Sequence, residues 1–264
     1  MTGPQIREIT ECIEEIAPLD LQEDYDNAGL LTGDRNTICT GVLCTLDITE
    51  EVIAEAVSRR CNLIVAHHPI IFRAVRQLRP SGYVRRTLIG AIKNDLALYA
   101  AHTNLDNVAD GVNGEIARRL GLVDTRVLAP KSDTSGSGLI GLLPSALSSN
   151  SFLELLANRF KTGIIRHNAG PARDVSKVAV CGGAGSFLII NALEAGADAF
   201  VTADLKYHEF FEAESQLLVC DVGHYESEQY TTDLFVDIIR RKFPNFAVLK
   251  SGVRTNPVHY FSGK

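Results

Sequence analysis

Short apolar runs of strand length alternate with amphipathic, helix-period stretches along almost the whole chain. That alternation confines the fold to the α/β class, in which helices cover a sheet buried on both faces. After a first helix over 5–18, the strands TGVLCTL (40–46), NLIVA (62–66) and LALYAA (96–101) are separated by helical stretches at 48–60 and 83–95, and a helix at 112–122 follows. Thr49 stands where the cap of the 48–60 helix belongs. The second half repeats the pattern with strands at 138–144, 177–182, 198–203, 217–222 and 246–251 and helices at 186–196, 207–215 and 226–243.

The stretch APKSDTSGSG (129–138) is the one break in composition and reads as a flexible loop or domain junction. The expected architecture is two related α/β lobes with mostly parallel or mixed sheets flanked by helices. The first lobe is expected over 1–128 plus 229–264 and the second over 129–228, with no large insertion between them. A weak internal repeat supports two related halves. Residues 42–68 align without gaps on 178–204, each a strand, a turn, a helix, a strand and then polar residues. The alignment sets His67 and His68 against Ala203 and Asp204.

A net charge of −6 argues against a nucleic-acid partner. The basic stretch RAVRQLRPSGYVRR (73–86) is a local exception, and its plain reading is a solvated loop and helix face. No run approaches the ~18 apolar residues of a membrane span, and the amphipathic N-terminus does not resemble a leader. The six cysteines lack C-x-x-C spacing and sit mostly in apolar runs, which suits buried thiols in a reducing compartment, and the expected location is cytoplasmic.

Polar residues collect just after the strands, where open parallel sheets bind ligands. Asp47, the pair His67–His68, His102, Asp204 and His224 all follow a strand, and His208 follows shortly after Asp204. Five of the seven histidines lie in such places. Adjacent histidines in a regular strand point to opposite faces. They can serve one centre only where the strand is ending, and Pro69 enforces an exit there. His224 and Glu228 are four apart, so a helix would put them on one side. Asp106 closes HTNLD and offers another oxygen. Mixed imidazole and carboxylate donors suit Zn, Fe, Mn, Co or Ni better than Mg or Ca. The simpler reading of each is a core histidine, a helix-start ion pair or a cap, and Asp47 could cap the following helix. The glycine run CGGAGS (181–186) reads as a tight turn, because it lacks the lysine of a phosphate loop.

YDNAGLLTGD (25–34), LIVAHHPIIF (63–72), AAHTNLD (100–106), GADAFVTADLKYHEFFEA (196–213) and DVGHYESE (221–228) resemble, in order, the motifs of the NGG-interacting-factor-three-like family, also called dinuclear-metal-centre proteins or GTP cyclohydrolase type-two homologues. Tyr25 and Ala28 stand where the family commonly has Trp and Val, and neither is a ligand position. The resemblance implies two divalent ions per chain in a cleft between the lobes, held by His67, His68, Asp106, His224 and Glu228, with Glu228 bridging. It also implies a ring-shaped homohexamer. The expected chemistry is metal-dependent hydrolysis of a small molecule: a nucleotide, a phosphoester or a cyclic amide. His102, Asp204 and His208 are the candidate proton carriers. The alternative is a non-catalytic metal-binding regulatory or interaction protein.

Overall fold

The computed structural model describes residues 3–261. Its strands, in chain order, are β1 Gly29–Thr32, β2 Val42–Thr45, β3 Leu63–Ala66, β4 Ala97–Ala100, β5 Val123–Pro130, β6 Gly136–Leu147, β7 Arg166–His167, β8 Val175–Ala184, β9 Ala199–Ala203, β10 Leu218–Asp221 and β11 Val248–Lys250. Its α-helices are α1 Ile6–Glu14, α2 Glu50–Ser58, α3 Tyr83–Lys93, α4 Thr103–Asp106, α5 Val112–Leu120, α6 Ser149–Phe160, α7 Ile189–Glu194, α8 His224–Glu228 and α9 Thr231–Lys242. No helix among the described residues is long and apolar enough to cross a membrane.

The chain divides into two compact units. Among the described residues, one comprises 3–105 and Thr231–Pro257; the other comprises Asp106–Tyr230 and 258–261. The expected boundary at 128 is therefore displaced. The Ser- and Gly-rich stretch is not a junction but the turn of the antiparallel β5–β6 hairpin, inside the second unit.

The first unit has the sheet β1-β4-β3-β2-β11, parallel except for the edge strand β1. Every residue of β2, β3 and β4 is buried, as continuous apolar runs require. Leu43, Ile64 and Leu98 pack with Ile53 and Ala56 of α2 and Leu88 of α3. Thr49 caps α2 by accepting from the amide of Val52 at 3.3 Å. The second unit has the mixed sheet β5-β6-β8-β9-β10-β7, in which β8, β9 and β10 are parallel. Phe200, Val219 and Ala179 pack with Leu188, Ile189 and Ala192.

The internal repeat is reproduced in the register. Val42 pairs with Leu63 and Leu43 with Ile64; Val178 pairs with Ala199 and Ala179 with Phe200. The gapless alignment carries the first pairs onto the second, so both units are built round the same strand–helix–strand core.

Four differences from the sequence expectation have physical reasons. The helix expected over 226–243 is broken between Glu228 and Thr231. There Gln229 donates to the carbonyl of Phe160 at 2.9 Å, and the hydroxyl of buried Tyr230 donates to that of Arg159 at 2.9 Å. The 186–196 helix opens with a 3₁₀ turn, and the 207–215 segment is 3₁₀ over Tyr207–Ala213. Helix α6 was not expected. Ser148 caps it, and Phe152, Leu156 and Phe160 recur every fourth residue on its buried side. Strands β1, β5 and β7 also lie outside the expected set, and each is an edge strand of its sheet.

Asp198 ties the second sheet together just before β9. Its carboxylate accepts from the amides of Ser176 and Lys177 (3.0 and 2.9 Å) and from Arg173 at 2.7 Å. Burial opposes its charge, but these donors hold the carboxyl below its usual value. The stabilisation is therefore complete above ~3.8, the unfolded value, and is lost as pH falls through the lower folded value. Asp198→Asn should cost about 1–2 kcal/mol near neutral pH. It should also flatten the acid limb of stability, measured as urea midpoints from neutral pH downward. An acid limb identical to that of the parent would refute this role.

Candidate metal centre

The first unit gathers three histidines. After β3 ends at Ala66, the amides of His67 and His68 both donate to the carbonyl of Leu46, at 3.2 and 3.0 Å. Two successive amides on one acceptor mean that the pleat has stopped, so adjacent side chains need not diverge. The rings of His67 and His68 lie 4.9 Å apart between centroids, and His102, just beyond β4, lies 5.1 and 5.5 Å from them. One ring nitrogen from each of the three falls within 4.8 Å of the others.

The partners of these rings decide which nitrogen is available. His67 Nδ1 faces the carbonyl of Ala101 at 2.9 Å, His68 Nδ1 faces Asp47 Oδ1 at 2.7 Å, and His102 Nδ1 faces Asp26 Oδ1 at 2.8 Å. A carbonyl or carboxylate oxygen can only accept, so each Nδ1 carries a proton and Nε2 is the nitrogen that can serve as a metal donor. Metal-binding histidines are held in this way.

The acceptors are themselves fixed. The side chain of Asp26 has no exposed surface. It takes the amides of Asn27 and Thr103 (2.7 and 3.0 Å) and the Thr103 hydroxyl. Burial opposes its charge, but His102 and Thr103 hold the carboxyl well below the usual carboxylate range. Asp47 accepts the Thr255 hydroxyl at 2.5 Å. It does not cap α2; that place is taken by Thr49.

The second unit holds the other donors. His224 opens α8 and Glu228 ends it, one turn on. His224 Nδ1 faces Asp204 Oδ2 at 2.8 Å, while Nε2 lies 3.0 Å from Glu228 Oε2. With Nδ1 protonated, Nε2 presents a lone pair to a carboxylate, and two acceptors face each other. Only a cation relieves that, whether a proton or a metal. Burial opposes charge on this ring, but Glu228 and Asp204 outweigh it and raise His224 to about 11.

The glycine run is shaped by the same carboxylate. Gly183 has φ +59°, and a Cβ there would come 2.4 Å from Glu228 Oε1. The amide of Gly182 goes to Asn113 (2.9 Å), that of Gly183 to Ser227 and that of Gly185 to Thr202 (both 3.0 Å). These side chains, not a phosphate, satisfy the run. Asp106, the last residue of α4, is tied through its carbonyl to Asn113 at 3.0 Å. Burial pushes the Cys181 thiol up, and the charges of Asp106 and Glu228 add to the effect. Both carboxylates therefore bear on one place in this unit.

His102 joins the ring cluster of His67 and His68. Asp204 serves as the acceptor that orients His224. His208 is exposed on the 3₁₀ segment, its ring 5.1 Å from that of Tyr207 and 6.2 Å from that of Phe211. Sequence reasoning passed over Asp26, Thr103 and Thr255, and it gave Asp47 no role beyond a cap. Position after a strand marked Asp47; Asp26 lies within YDNAGLLTGD, but nothing local showed its partner, and nothing local marked Thr255.

A divalent metal fits these residues on two counts. The donor set is imidazole and carboxylate, which suits transition metals. The facing pair of His224 and Glu228 is in addition a cation site by its own geometry.

The family described as Duf34/NIF3 (NGG1p interacting factor 3) matches residues 4–257. A protein of Clostridium perfringens named "GTP cyclohydrolase 1 type 2 homolog" is 35% identical over 229 residues, covering 85% of this chain and 87% of its own length. A Lactococcus lactis protein of the same name is 32% identical over 251 residues, covering 93% and 95%. A Bacillus cereus protein related to NIF3, of known crystal structure, superposes with a TM-score of 0.92 at 25% identity, covering 99% of this chain and all (100%) of that one.

The orienting carboxylates yield a test. Asp47→Ala and Asp204→Ala should each weaken transition-metal binding by about 10–100-fold while the fold survives. Uptake of metal at His224 must also expel a proton, so the apparent affinity should rise with pH. Calorimetric titration with zinc in buffers of different protonation enthalpy measures both effects. Unchanged affinity in both variants would refute the orienting role.

Proposed function

Because the chain belongs to the Duf34/NIF3 family, we propose that it binds a pair of divalent transition-metal ions and acts as a metal-dependent hydrolase on a nucleotide, a phosphoester or a cyclic amide. In this reading His67, His68, Asp106, His224 and Glu228 hold the ions, Glu228 bridges them, and the metal is Zn, Fe, Mn, Co or Ni. The observation that carries the proposal is the common orientation of four imidazoles. Each Nδ1 is fixed by an oxygen that can only accept, so Nε2 is the nitrogen that can serve a metal, and at His224 it faces Glu228.

When bound, a divalent metal supplies Lewis acidity toward a carbonyl or phosphoryl oxygen and lowers the pKa of a water ligand toward neutrality. The chain's own residues do the rest. Asp47 and Asp204 keep His68 and His224 in one tautomer. His102, held by Asp26, presents an Nε2 that can take a proton or a metal. His208 is exposed and can exchange a proton with solvent. Self-assembly into a homohexamer and a cytoplasmic setting belong to the same proposal; the family resemblance supports the first and six free, buried thiols the second.

Elemental analysis before and after chelation, with both forms assayed on nucleotides, phosphoesters and cyclic amides, tests the proposal. The expected result is about two transition-metal ions per chain. Turnover should vanish on chelation and return with metal. His68→Ala and Glu228→Ala should lower bound metal without unfolding the chain, and full occupancy in both would overturn the ligand assignment. Two metals with no turnover on any substrate would replace the hydrolase with a metal-binding regulatory protein.

A further inference from the structure

The basic stretch that the acidic average hides is not absorbed by the metal centre. Residues 56–94 contain eight Lys or Arg and no Asp or Glu. The whole chain is −6 and this segment is +8, so the remainder stands at −14. The loop after the histidine pair concentrates the charge. Arg73, Arg76 and Arg79 are exposed and three residues apart, and among the described residues none of their guanidinium groups makes an ion pair or a hydrogen bond. Arg85 reaches only the Ser81 hydroxyl, at 3.1 Å, while Arg86 is neutralised by Glu50 and Arg59 by Glu55, both at 2.9 Å.

This loop is anchored. The carbonyl of Ile71 accepts from the side chain of Asn27 at 2.6 Å, and Ile71, Val75 and Val84 pack on the core of the first unit. Pinned apolar positions keep the exposed arginines between them close to one another, and the repulsion of these like charges favours an anion beside them.

Aromatic rings stand at the end of the loop nearest the histidines. Phe72 is 50% exposed, with its ring 6.2 Å from that of His102 and 6.3 Å from that of Tyr25, itself exposed. Exposed aromatic faces beside arginines are what nucleotides use, the base stacking on the ring and the phosphates meeting guanidinium groups. Chain order then sets the direction. Phe72 lies beside the histidine cluster, and the arginines follow it in the chain.

We propose that this loop binds a nucleoside polyphosphate, with the base against Phe72 and Tyr25 beside the histidines and the phosphates along Arg73, Arg76 and Arg79. A short ligand suits the site better than a nucleic acid. Screening confines the attraction to about 8–10 Å, so a nucleotide feels the local arginines while a long polyanion also meets the acidic remainder. Only the meaning of the base's position rests on the metal-centre reading, where it makes the base, not the phosphate, the group presented to the metal. The binding itself does not rest on it.

Equilibrium binding of GTP, guanosine and a single-stranded oligonucleotide to the full-length protein tests the proposal. The variants are R73Q/R76Q/R79Q and Phe72→Leu, with metal content and circular dichroism measured on the same samples. GTP should bind more tightly than guanosine. The triple variant should weaken GTP by about tenfold or more, leaving guanosine affinity and metal content unchanged. Phe72→Leu should weaken both ligands. Unchanged GTP affinity in the folded triple variant overturns the proposal, as does binding of the oligonucleotide without binding of GTP. GTP held through the three arginines in a protein that binds no metal would uphold this inference while removing the hydrolase.

Discussion

The centre depends on one repeated interaction, an imidazole Nδ1–H donated to a fixed oxygen. A free histidine side chain has two similar nitrogens and two rotatable bonds, and a loose ring makes a poor ligand. Here four rings are fixed by four acceptors that cannot reverse the bond. Each acceptor is in turn held by the fold: the Ala101 carbonyl at the end of β4, Asp47 by Thr255, Asp26 by Thr103, and Asp204 beyond the end of β9. The sheets thus do more than bury apolar surface. Their carboxyl ends place the oxygens that choose the tautomer.

The two units reach this result from one plan. The strand pairs β2–β3 and β8–β9 share a register under the gapless alignment, so His68 and Asp204 occupy matching positions. One unit places a histidine there, oriented by a carboxylate. The other places the carboxylate, which orients a histidine from the next strand end. Asp204 takes a left-handed backbone conformation (φ +55°). Asp tolerates that conformation better than most residues.

Much of this was legible in the sequence, for reasons of range. Strands such as LIVA and helices such as 48–60 follow from periodicity and caps, which act over a few residues. The donors His67, His68, His102, His224 and Glu228 could be picked out because strand ends and helical spacing are also local. Their supports could not. Asp26 acts on a residue 76 positions away, and Thr255 acts on one 208 away. No local pattern encodes such pairs. The break between α8 and α9 belongs with them, since it is imposed by Gln229 and Tyr230 reaching the end of α6. Helix α6 differs, because its cap and its fourfold apolar spacing were present in SNSFLELLANRF and went unread.

The central claim is that the fold preselects Nε2 as the metal donor. Crystals of the zinc-loaded protein, with anomalous differences collected at the zinc edge, test it most directly. The account predicts anomalous peaks about 2.0–2.1 Å from Nε2 of His67, His68 and His224, with each Nδ1 still on its oxygen. Zinc bound at Nδ1, or rings swung away from Ala101, Asp47 and Asp204, would contradict it.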